Sequence, residues 1–177
     1  MRLHFALASI LAFATAAAVA PAATVMVYVE EVGEGASTQA PRTVRDGLMG
    51  GLFDRGDIVF DVGETKADGV DWGTGESSTL EAIAVEGGAE LLVLARSEMR
   101  LTRREGGRPL VEVSLTYHVI DLSDRSARGV ASGLLSGSNR GKEDEANATA
   151  VARGIGTELA AAVHAAWVTA RKNRKVQ

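Results

Sequence analysis

Two histidines, one crowd of carboxylates and one tripeptide are the parts of the chain beyond its leader that could do chemistry. Asp61, Glu64, Asp68, Asp71 and Glu76 fall in or beside the glycine-containing stretch "GETKADGVDWGTGES". Carboxylates near glycines can ligate calcium. Joined by His118, they could instead serve a metal-assisted hydrolase. The spacing does not match the D-x-[DN]-x-[DN]-G pattern of an EF-hand. Neither His118 nor His164 has a metal ligand four residues on, so both read as surface or packing histidines. Trp72, between Asp71 and Gly73, either folds back onto the core or anchors a partner. Folding back is the favoured reading, and Asp71, Trp72 and Glu76 are the candidate partner-binding residues. Arg55-Gly56-Asp57 spells a cell-adhesion tripeptide. There is no G-x-S-x-G nucleophile elbow, no phosphate loop and no dinucleotide fingerprint after the first strand. The serines and glycines of "SGLLSGSNRG" are explained by small residues on an open sheet face. The sequon Asn147-Ala148-Thr149 falls in a helix and carries no weight.

The elements that must position these residues follow from periodicity. "TVMVYVEEV" is a first strand. Pro41 suits a first helical position. Val44, Leu48 and Leu52 then recur every four residues with Met49 and Phe53 beside them. Gly50 and Gly51 weaken that helix by about 1 kcal/mol each, and close packing against a sheet is the expected compensation. Gly56 stands where a left-handed glycine would stop the helix. This puts Arg55 in the last turn and Asp57 at the opening of the strand "DIVFDV", so the tripeptide is a helix-to-strand junction rather than a ligand on a loop tip.

Ser78-Thr79-Leu80-Glu81 has capping-box spacing, and the short helix it starts ends at Gly87-Gly88. In the next strand Leu91, Val93, Ala95, Met99 and Leu101 share one face. After the turn "EGGRP", Val111, Val113, Leu115, Tyr117 and Val119 alternate with Glu112, Ser114, Thr116 and His118, which implies one buried and one wet face. "VASGLLSGS" is a last strand. A helix from about Glu143 to Lys172 closes the chain, with the stripe Val151, Ile155, Leu159, Ala162, Ala166 and Ala170. Glu143, Asp144 and Glu145 at its start, and Arg171, Lys172, Arg174 and Lys175 at its end, complement its dipole. The fold class is therefore α/β (α+β): one mixed sheet of about five strands, a parallel βαβ start and an antiparallel meander, with helices mainly on one face.

The first residues set the expected compartment. Arg2, an apolar run from Phe5 to about Ala20 and Ala20-Pro21-Ala22 have the layout of a signal peptide cut after Ala22. Residues 1–22 are thus a leader and 23–177 a single domain. The apolar run is short for a bilayer span, and no later stretch could cross a membrane as a helix. Lys and Arg total 19 against 23 Asp and Glu, a poor balance for nucleic-acid binding. With no cysteine there is no disulfide, no thiolate zinc site and no lipidated cysteine.

"LEAIAVEGGAELLVLARSEMR", "VEVSLTYHVIDLSDRSARGVASG" and "LMGGLFDRGDIVF" together resemble the periplasmic domains of the curli secretion protein CsgG, the N-terminal domain of TolB and the lipoprotein activators of penicillin-binding proteins. The likeness spans most of the chain after the leader and lies in loose, fold-level motifs. It implies a periplasmic or secreted α/β domain that is not an enzyme, takes no cofactor and works by binding an envelope protein. The chain departs from these relatives in lacking the lipoprotein cysteine, the TolB propeller and a pore-forming hairpin. A small-ligand-binding periplasmic protein, or a metal-assisted hydrolase built on residues 61–76 with His118, are the alternatives.

Overall fold

The computed structural model describes residues 22–32, 41–62, 69–102, 110–123, 129–140 and 145–174. The leader before Ala22, Glu64, Asp68, Glu143, Asp144 and Lys175 lie outside the described residues. The elements run β1 (Thr24–Val32), α1 (Pro41–Phe53), β2 (Ile58–Asp61), α2 (Ser78–Glu86), β3 (Leu91–Thr102), β4 (Leu110–Asp121), β5 (Ala131–Arg140) and α3 (Glu145–Arg174). They form one sheet in the order β2-β1-β3-β4-β5. β1 pairs parallel with β2 and β3, and β3, β4 and β5 form an antiparallel meander. The mixed five-stranded α+β architecture is the one the strand and helix periods imply.

Side-chain alternation splits the sheet into two unequal faces. Val25, Val27, Leu91, Val93, Ala95, Val113, Leu115 and Val119 point toward α1 and α3 and form the main core with Val44, Leu48, Leu52, Ile155, Leu159, Val163 and Trp167. Among the described residues the opposite face is covered only at one end. There Met26, Leu92, Leu94 and Ile120 pack under Leu80 and Ala84 of α2, with Trp72 beside them. β3 is thus apolar on both faces where α2 sits, which the one-face reading of that strand did not anticipate. Toward the far end the same face opens to solvent through Arg96, Arg100, Glu112, Leu134, Ser136 and Ser138, all exposed.

Several local expectations shift. Gly50 has open space around it, and Gly51 packs against Ala160 of α3 rather than against the sheet. Arg55 lies in the turn after α1, not in its last helical turn. That turn closes with the Gly56 amide donating to the Phe53 carbonyl and the Asp57 amide to the Leu52 carbonyl, around Gly56 at φ +88. This is the left-handed glycine stop expected there. The cap of α2 is Ser77, whose hydroxyl accepts from the Leu80 amide. Ser78 is therefore the first helical residue, and the capping-box spacing is off by one. Among the described residues of α3 the buried apolar side chains are Ala152, Ile155, Leu159, Ala160, Val163 and Trp167. The expected stripe holds through Val151, Ile155 and Leu159 and then shifts, with Ala160, Val163 and Trp167 buried in place of Ala162, Ala166 and Ala170, because α3 must face α1 as well as the sheet.

Candidate functional site

The three candidate partner-binding residues come together in one hairpin turn. The Asp71 amide donates to the Glu76 carbonyl at 2.9 Å, and the Gly75 amide to the Asp71 carbonyl at 2.7 Å. Asp71 Oδ1 also accepts from the amides of Gly73 at 2.8 Å and Thr74 at 3.3 Å, the short-range turn that an aspartate favours. Those amides hold the exposed Asp71 carboxyl below the usual carboxylate range. Gly75 has φ +75, and a Cβ there would run into the His118 ring.

Trp72 folds inward, as its favoured reading had it. Its ring stacks on Tyr28 at a centroid distance of 6.5 Å and an interplanar angle of 20°, with the Arg96 guanidinium 6.0 Å from the ring centre. Its carbonyl accepts a hydrogen bond from His118 Nε2 at 3.0 Å. The turn is thus pinned to the sheet through Trp72 and Gly75 while Asp71, Gly73, Thr74 and Glu76 stay exposed.

Asp61 is not part of this site. It aligns with Val27 in β2 and so faces α1, where Arg45 binds its Oδ2 at 2.7 Å. His118 aligns with Leu94 and faces the other way. A hydrolytic set made of Asp61, Asp71 and His118 is therefore split across the sheet. Among the described residues no three His, Asp or Glu side chains are placed to share a metal ion. A cleft of about 400 Å³ adjoins the turn, lined by Thr74, Glu76, Glu81, His118 and Ser132 among others. Sequence reasoning placed His118 on a polar face but gave no sign that it would buttress the turn through Gly75.

The adhesion tripeptide is closed off. Asp57 is only 3 % exposed. Its Oδ1 accepts from the Ala23 amide at 3.0 Å, and its Oδ2 accepts from His164 Nδ1 at 3.3 Å, so His164 is a packing histidine. The basic residues at the end of α3 also have structural work. Arg171 and Arg174 lie over the Trp167 ring, each 5.1 Å from its centroid. Arg174 further binds the buried Asp121 at 2.5 Å.

One titratable group was not foreseen. Glu31 lies on the α1 side of β1, opposite the buried Ser97 of β3. Burial pushes its carboxyl up to about 7, with the Arg45 guanidinium acting in the opposite sense. A raised folded-state value favours the protonated form, so the associated stability is fully present below the ordinary value of 4.5 and lost as pH rises through about 7. Unfolding free energy should therefore fall by about 1–2 kcal/mol between roughly pH 5 and 8, a figure discounted for the partial exposure of Glu31. Denaturation of Glu31→Gln, which stays neutral, should show that fall removed. An unchanged pH slope in the variant would assign the effect elsewhere.

These observations define a class by fold: a single mixed sheet with a parallel start, an antiparallel meander and a long closing helix, carrying an exposed turn anchored through Trp72 and Gly75 on its less covered face. No family model and no curated protein sequence matches the chain. Solved structures do share the fold. The hypothetical protein CT253 from Chlamydia trachomatis superposes with a TM-score of 0.57 at 14 % identity, over 81 % of this chain and 96 % of that one. Protein XCC0632 from Xanthomonas campestris gives 0.50 at 12 % identity, over 88 % and 90 %.

Proposed function

We propose that the chain is an exported, non-enzymatic cell-envelope protein that binds another envelope protein through the 71–76 turn. The observation that carries this reading is the way the turn is built. Trp72 and Gly75 fix it to Tyr28 and His118, so its exposed edge is presented without the ordering cost that a mobile loop would incur on binding. Asp71 and Glu76 give that edge a negative character suited to a basic patch on the partner. The expected leader and the resemblance to periplasmic domains support the compartment. His118 and His164 are both engaged in holding the fold, which supports a role without catalysis.

A photo-crosslinking side chain in place of the exposed Thr74, in cells exporting the protein, tests this reading. One dominant protein adduct is expected. It should be lost when Trp72→Ala frees the turn, and absent when the probe replaces exposed Asp46 on α1 instead. Equal labelling from both positions, or none from Thr74, would remove the turn as the binding surface.

A further inference from the structure

We propose that the outer edge of β5 is a self-association surface, and that a second copy of the chain adds to it antiparallel, β5 to β5, across a two-fold axis at Leu134. This interface is independent of whatever the 71–76 turn binds.

β5 ends the sheet, with no further strand beyond it among the described residues. Every second residue from Ala131 to Arg140 therefore turns its backbone N–H and C=O away from β4. Natural edge strands are guarded by shortness, proline, lysine, inward-pointing charge or a bulge. β2 at the other edge is short, four residues ending in Asp61. Among the described residues β5 has none of these guards. It runs ten residues, "ASGLLSGSNR", with its only charged residue last. It pairs with β4 without a break from Ala131↔Val119 to Arg140↔Leu110, so there is no bulge.

The sequence also selects a register. With Leu134 on the axis, Leu134 meets its own copy, Gly133 lies opposite Leu135, Ser132 opposite Ser136 and Ala131 opposite Gly137. Leu134 is 69 % exposed, a large apolar side chain on the otherwise polar face, and the contact with its copy would cover it. On the face toward α3, each Leu135 falls opposite a glycine with no side chain to obstruct it. No like charges oppose one another over this central stretch. Strand addition of this kind takes its affinity from main-chain hydrogen bonds and its specificity from alternate side chains, and the two-fold makes the interface self-complementary.

Sedimentation of the purified chain at roughly 100 µM, above a Kd of micromolar order, should show a dimer. Leu134→Lys sets two ammonium groups face to face at the axis. It should weaken the dimer tenfold or more while leaving the circular dichroism spectrum unchanged. Because the chain has no cysteine, single-thiol variants can report the register. Mild oxidation should link Leu134→Cys into a covalent dimer. It should not link Ser138→Cys, whose two copies would lie about 26 Å apart along the strands. A monomer at that concentration, a dimer that survives Leu134→Lys, or equal linking of both thiol variants would each overturn the proposal. The first of these outcomes would leave the edge to a strand from a different protein.

Discussion

Gly156→Ala should cost about 3 kcal/mol of stability, while Gly154→Ala, two residues earlier in α3, should gain up to about 1 kcal/mol. The opposite signs follow from where each added methyl group would go. At Gly156 it would run into the Val44 carbonyl oxygen and lie 2.7 Å from the Leu48 nitrogen. Both are backbone atoms of α1, which cannot rotate aside, so the two helices would have to separate. The approach is reciprocal. A methyl on Gly47 would run into the Arg153 carbonyl, and one on Gly51 would lie 2.8 Å from the Ala160 Cβ. At Gly154 nothing lies within 4 Å, leaving only the gain in helix propensity from removing a glycine. Gly50, equally open, should behave like Gly154. Urea midpoints of the four alanine variants at Gly47, Gly50, Gly154 and Gly156 would sort into two destabilised and two stabilised. If Gly156→Ala were as stable as the parent chain, glycine would not be what sets the distance between α1 and α3.

The same two helices mark the boundary of what the sequence revealed. The alternation in β4 and the period of Val44, Leu48 and Leu52 are local signals, because each depends only on which face of one element is apolar. They read correctly, and with them the parallel start, the antiparallel meander and the inner face of β4. The stripe on α3 holds at Val151, Ile155 and Leu159 and fails at Ala162, Ala166 and Ala170 because that helix has two partners. Ile155 and Leu159 face the sheet, whereas Gly156 and Ala160 meet α1, and glycine carries no hydrophobic signal to a periodicity search. Trp167 went unremarked for a related reason. It stands four residues before the basic end that was read as complementing the helix dipole, and Arg171 and Arg174 are drawn onto its ring.

The turn at 71–76 was legible in part. An aspartate followed by glycines signals a turn, and a tryptophan among polar residues signals an attachment point. Its contacts with Tyr28 and His118 join residues 44 and 46 positions apart in the chain, and only the sheet's register brings them together. Glu31 shows the reverse limit. It sits next to Glu30 in a strand with no charge pattern to separate them, yet Glu30 turns to the other face and pairs with Arg96 while Glu31 turns toward α1.

Trp167→Ala should be the most damaging truncation in the molecule, at about 3–5 kcal/mol, a large share of a net stability of roughly 5–15 kcal/mol. Trp167 is 1 % exposed and fills the main core beneath the last turns of α3. Its loss would leave a cavity that two neighbouring helices and a sheet cannot collapse to fill. It would also remove the surface that orients Arg174, whose guanidinium binds the buried carboxylate of Asp121 and the hydroxyl of Ser123. A buried charge whose partner is loosened is costly in its own right, so the effect should exceed that of ring volume alone. Trp167→Phe separates these contributions. The indole nitrogen is buried with no hydrogen-bond partner among the described residues, so phenylalanine forfeits no hydrogen bond and keeps an aromatic face for both arginines. It should cost only about 1–2 kcal/mol, less than half the alanine penalty. Thermal and urea denaturation of the two variants, with Arg174→Met beside them, decides the matter. Should phenylalanine cost as much as alanine, the polar tip of Trp167 and not its packed ring is what holds the end of α3 to the sheet.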